Sequence, residues 1–181
     1  MAEKLLLTLR HINRRVAIAV GMLYFACAAI VLVDIILRQL GSSLGGTDEI
    51  SGYVMAIGVA WGMAFALLEL SHVRIDFLRS LAATKIRIIF DLVSMLIFAA
   101  TVSIIAVQSW PVVAKSIKNG STANTPLETP LAWVQVPWLA GWVWFAIMAW
   151  LVFIAALALT ATGDFKKTEN AIGVFPEHEA V

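Results

Sequence analysis

The chain has 181 residues, of which 61% are hydrophobic and 14% charged, with a formal net charge of +1. That balance excludes an ordinary soluble domain and a disordered tail. Four long apolar stretches take up most of the length and leave no room beside them for a soluble catalytic domain.

The first element is a basic, leucine-rich head, residues 1–15. Leu5, Leu6, Leu7, Leu9 and Ile12 alternate with Lys4, Arg10, Arg14 and Arg15. This suits a short amphipathic helix in the membrane interface. The same residues also suit the snorkelling end of the first span. Val16–Leu37 follows, with 22 apolar-rich residues. A hydrocarbon core about 30 Å thick needs about 20 such residues in a helix. The run is too long for a signal-peptide core and lacks a small-x-small cleavage site, so an uncleaved span is expected. Cys27 is the only cysteine. It excludes an intrachain disulfide and a CxxC redox pair and reads as a small packing residue. Asp34 and Arg38 stand one helical turn apart at the end of this span, the spacing of an ion pair.

Gly41, Gly45 and Gly46 break the chain. Thr47 is then the expected N-cap of the second span, Ile50–Leu70, with Asp48 and Glu49 complementing the helix dipole. This span is rich in small residues, and Gly58 and Gly62 flank Trp61 in a GxxxG pattern. Small residues let helices approach closely in lipid, within the chain or with a partner. Glu69 ends the span, and His72, Arg74 and Asp76 follow at two-residue spacing. One histidine and one aspartate do not make a metal site, and this reads as a tight charged turn.

The third span, Ile86–Val107, opens with Arg87 and Asp91 one turn apart, and its helix is expected to run on to Gly120, with a kink at Pro111. Thr122–Pro130 reads as an extended loop. Leu131–Thr160 is long enough to cross with tilt. Trp133, Trp138 and Trp142 at its start fit an aromatic belt, and Pro137 falls near the first turn, where proline is tolerated.

The predicted fold is therefore an all-α integral membrane protein of four transmembrane helices. Residues 1–15 form an N-terminal segment, 16–160 the transmembrane domain and 161–181 a tail. Ten basic residues lie at the termini or around the Ser71–Lys85 link and three in the other two loops. By the positive-inside bias both termini and that link are cytoplasmic.

Membrane-embedded ionisable groups are functional candidates by default. Asp34, Glu69 and Asp91 would serve a stand-alone four-span carrier or channel. None falls at the midplane and no helix is broken, so the pairs Asp34–Arg38 and Arg87–Asp91 read first as structural. No Ser–His–Asp set, HExxH or phosphate-binding glycine loop is present, and no two histidines in the spans could clamp a haem. Catalysis is not expected.

Three strings carry a family resemblance: Asp48-Glu49-Ile50-Ser51-Gly52-Tyr53 with the small-residue run after it, His72-Val73-Arg74-Ile75-Asp76-Phe77-Leu78, and Thr129-Pro130-Leu131-Ala132-Trp133 with Val136-Pro137-Trp138. In this order and membrane placement, over about Leu5–Leu159, the chain resembles the small permease subunit of TRAP transporters, the DctQ-like family. The resemblance implies a tripartite symport system of a bacterial inner membrane. A periplasmic solute-binding protein would capture an organic acid or similar solute. A large permease subunit would hold the substrate and sodium sites and move the solute. This chain would carry no catalytic, substrate or metal site and no cofactor. It would scaffold the large subunit and help dock the binding protein. Asp48, Glu49, Gly58, Trp61, Gly62, His72, Arg74 and Asp76 become its candidate partner-interface residues, embedded among membrane lipids.

Overall fold

The structure is a computed structural model that describes residues 2–72 and 83–173, without the side chains of residues 84, 85, 165, 166 and 170. Among the described residues there are five helices: α1 Ala2–Gln39, α2 Thr47–Leu68, α3 Thr84–Asn119, α4 Leu131–Ala161 and α5 Phe165–Ile172. The first four are long and apolar enough to cross a membrane. With no water in the hydrocarbon to satisfy backbone groups, the helix is the local solution that closes every peptide hydrogen bond within its own segment.

The basic head does not form a separate helix. Residues 2–15 are the first four turns of α1, which runs unbroken for 38 residues. At 1.5 Å per residue α1 is about 57 Å long, well beyond the hydrocarbon thickness. Helix α3 likewise passes through Pro111 without a break and ends where Gly120 takes the left-handed conformation at φ 58°. That turn lets the Ser121 N–H return to the Ser116 carbonyl at 3.0 Å, closing the C-terminus.

Two expectations are corrected. Thr47 is not the N-cap of α2: Gly46 holds that position at φ 70°, and no side chain caps the helix. The Thr47 hydroxyl is turned instead to Asp34 on α1. Pro137 is the seventh residue of α4, beyond the first turn. It removes the N–H that would have bonded the Trp133 carbonyl.

Helix α4 is central. It packs against α2 and α3 and, at its C-terminal end, against α5, while α1 attaches mainly through α2. Along the apolar part of α1 between Asn13 and Asp34 only Cys27 is buried, whereas buried residues recur along the whole of α4. Helix α1 therefore lies at the edge of the bundle. The core runs along α4 through Phe145, Met148, Ala149, Val152 and Ala156, with Ala64 and Leu67 of α2 and Met95 and Ala99 of α3.

The helices are level at one face. There Thr47 bonds Asp34, Thr125 bonds Glu49, and the Leu131 N–H bonds the Ser121 carbonyl, so both interhelix connections are knitted together. Because α2 has only 22 residues while α1, α3 and α4 have 38, 36 and 31, these three outrun α2 at the opposite face by about 14 to 24 Å. Helix α5 folds back into that extension. Its Ala171 and Ile172 join Leu9 of α1 and Leu159 of α4 in the same core.

Candidate functional site

The polar chemistry of the chain gathers at the knitted face. Asp34, one turn before the end of α1, is only 1% exposed. Its Oδ1 accepts the Leu44 N–H at 2.7 Å and the Ser43 hydroxyl at 3.0 Å. Its Oδ2 accepts Arg38 Nε at 2.8 Å and the Thr47 hydroxyl at 2.7 Å. Arg38 Nη2 also lies 2.7 Å from Oδ2. An ionised carboxylate offers about four lone-pair directions. Two donors on one oxygen and three donor contacts on the other fill them. This arrangement holds the α1–α2 connection in place and leaves the carboxylate no free acceptor site for a cation.

Glu49 performs a similar task in the first turn of α2. It accepts the Thr125 hydroxyl at 2.6 Å, with the Leu127 N–H and the Tyr53 hydroxyl each at 3.4 Å. Leu127 also covers Gly46 so closely that any Cβ there would strike its side chain. Glycine is needed at this position both for its positive φ and for this approach. Asp48 differs: its side chain is 91% exposed and reaches Arg38 only at 3.8 Å.

The other named residues are spread through the bundle. Gly58 faces α1, where an added Cβ would come within 2.5 Å of the Tyr24 ring. Gly62, by contrast, has nothing within 4 Å of such a Cβ. The two glycines of the pattern thus meet different surroundings, and only the first serves a contact within the chain. Trp61 lies 6.2 Å from Trp144 and donates its indole N–H to the Pro137 carbonyl at 3.0 Å. The His72 ring packs into the bundle, 5.2 Å from Phe98 and 6.1 Å from Phe145. Asp91 is buried on α3, and both it and Arg87 have partners in the structure. Glu69 is the C-cap residue of α2. Arg74 and Asp76 lie outside the described residues.

Two features escape a reading of sequence alone. Asn13, inside the basic head, is fully buried. Its amide donates to the Leu9 carbonyl at 3.0 Å and to Met148 Sδ at 3.2 Å, and it accepts the Trp144 indole N–H at 3.0 Å. The available signal was that Leu9 and Asn13 stand at i,i+4, so they share one side of α1. Gly141 was also missed. An added Cβ would lie 2.8 Å from that of Ala60 and 3.0 Å from the Ala60 backbone, so α2 and α4 approach closely there.

At the opposite face Lys167 of α5 meets Asp164 at 2.6 Å and Glu3 of α1 at 3.2 Å. The hydrogen bond from Lys167 holds the Asp164 carboxyl below its ordinary value. The same bond, with a second to Glu3, raises the Lys167 ammonium. This pairing staples the tail helix to the start of α1. Among the described residues no three His, Cys, Asp or Glu side chains come together as a metal site.

The decisive comparison is with protein families. Residues 27–159 match the family of tripartite ATP-independent periplasmic transporters, DctQ component. The chain belongs to the DctQ family. The match takes in the last third of α1, all of α2 and α3 and α4 to within two residues of its end, with both knitted connections. No curated protein and no solved structure matches this DctQ chain. It is a multi-pass membrane protein in its helices and a transporter component by family.

Proposed function

We propose that this DctQ chain is the small, non-catalytic membrane subunit of a sodium-coupled, binding-protein-dependent transporter that imports organic acids or similar solutes. It scaffolds the large permease subunit, which carries the sodium and substrate sites, and helps dock the periplasmic solute-binding protein. It sits in the bacterial inner membrane with the knitted face outward and both termini in the cytoplasm.

The observation that carries this reading is the family match over residues 27–159. The distribution of basic residues supports the orientation. The engagement of Asp34 and Glu49 within the chain supports an architectural role, since their oxygens are taken up by the chain's own donors. A scaffold needs a rigid outer platform, and these bonds supply one. A stand-alone carrier would need an acceptor group free to bind and release its cargo, and the saturated Asp34 does not suit that task.

The test is co-expression with a cognate large permease subunit and purification through a tag on this chain. Recovery of the large subunit in fixed ratio supports the scaffold reading. Purification of this chain alone, together with uptake in cells that is unchanged by its deletion, would contradict it.

A further inference from the structure

Between α3 and α4, in the half of the bundle nearer the knitted face, lies a groove of about 550 Å³. Its walls include Ser103, Val107 and Trp110 of α3 and Leu139, Ala146 and Leu151 of α4. The polar groups at its floor are spent on each other: Trp150 donates its indole N–H to the Ser103 hydroxyl at 2.8 Å, and that hydroxyl donates to the Ala99 carbonyl at 2.8 Å. An occupant is therefore met by an apolar surface.

From Leu139 to Leu151 the groove follows twelve residues of α4, about 18 Å. A single extended acyl chain matches that length and meets an apolar lining along it.

Charge indicates where a headgroup would lie. Ser103, Val107, Trp110, Ala114 and Lys118 follow one another at helical i+3 and i+4 spacing, so they share one stripe of α3. Lys118 stands eight residues, about 12 Å, beyond Trp110 toward the knitted face, with Lys115 nearby on the same helix. Neither lysine is ion-paired with an acid among the described residues. Trp110, more than half exposed, is the groove residue of α3 nearest these lysines along the helix, a place that suits an interfacial tryptophan.

We infer that this groove is a binding site for one glycerophospholipid of the leaflet on the knitted face, with an acyl chain between α3 and α4 and the phosphate at Lys118 and Lys115. The site is independent of the transport reading. It requires only that the bundle lie in a bilayer.

Native mass spectrometry of the full chain in detergent, titrated with dioleoyl phosphatidylglycerol, tests this. One adduct is expected to form ahead of the others. Lys115→Ala with Lys118→Ala should weaken it at least five-fold, as should replacing the lipid by a diacylglycerol of the same chains. Ala146→Phe, which fills the groove, should weaken both lipids. Leu32→Ala, on the exposed side of α1, should change neither. A first adduct indifferent to both the lysines and the groove would overturn the assignment. So would photo-crosslinking from Val107→benzoylphenylalanine that captures the large subunit in the assembled complex, where capture of phospholipid is expected.

Discussion

The Thr125 hydroxyl donates to the Glu49 carboxylate at 2.6 Å, joining residues 76 positions apart. Through that bond the loop between α3 and α4 rests on the first turn of α2, and Leu127 closes over Gly46 beside it. The two connections at the knitted face therefore form one surface. A partner meeting that face meets a preorganised shape and bears less ordering entropy on binding.

Loosening the bond should be felt first in docking. Glu49→Gln keeps the shape but removes the charge, and Thr125→Val removes the donor. Each should cost about 1–2 kcal/mol of stability, the range for a charge-assisted hydrogen bond at an exposed site. Thermal unfolding in detergent measures the first effect. Affinity of the solute-binding protein for the reconstituted complex measures the second, and a several-fold loss is expected from either variant.

Asp34→Asn should destabilise the α1–α2 corner while leaving sodium coupling intact. The variant removes the counter-charge of Arg38 and replaces an acceptor with a donor facing the Leu44 N–H. Breaking a fully buried pair costs about 3–5 kcal/mol. Arg38 is half exposed, so about 2 kcal/mol is expected. Uptake against sodium concentration should keep the slope of the parent. A lost sodium dependence would place an ion site on this chain.

The two glycines of α2 should separate folding from assembly. Gly58→Leu drives a side chain into Tyr24 and should lower the stability of the isolated chain by about 1–3 kcal/mol, as overpacking does. Gly62→Leu points into open space and should leave the isolated chain folded. If α2 is a contact surface for the large subunit, Gly62→Leu reduces co-purification. Full assembly by Gly62→Leu would move that contact to another helix.

The tail helix should respond to acid through Asp164. Its folded-state carboxyl titrates below the ordinary value of 3.8. The bond's contribution is therefore present above that value and fades as the pH falls through the lower, folded one. The raised Lys167 behaves in the opposite sense. Its contribution is present below 10.5 and is lost only as the pH rises through the higher folded value. Between these limits α5 should stay docked. The protection of residues 165–172 against hydrogen exchange, taken relative to the intrinsic rate at each pH, should fall below about pH 4, and Lys167→Ala should lower it at neutral pH and flatten the acid response. Both groups are solvent-exposed, so high salt should shrink the difference.

Elements whose cause is local were legible in the sequence. The four spans follow from apolar length alone, the end of α3 follows from Gly120, and Asp34–Arg38 follows from helical spacing. The missing parts have causes on another element. Thr47 looks like a cap until Asp34 is placed beside it. Asn13 looks like part of a basic head until Trp144 and Met148 surround it. Gly141 carries no pattern of its own because its reason is Ala60 on α2. Helix α5 is amphipathic, but eight residues are too few to form a stable helix on their own, and it is held by Leu9 and Leu159 from elsewhere. Of the candidate interface residues, Gly58, Trp61 and His72 are engaged inside the bundle and Glu49 at the knitted face, while Asp48 and Gly62 face outward.

The most direct test is sodium-driven solute uptake into proteoliposomes containing this chain alone, the large permease subunit alone, or both, each with the cognate binding protein. Uptake only when both membrane subunits are present is the predicted result. Uptake by this chain alone would contradict the account and return attention to Asp34, Glu69 and Asp91.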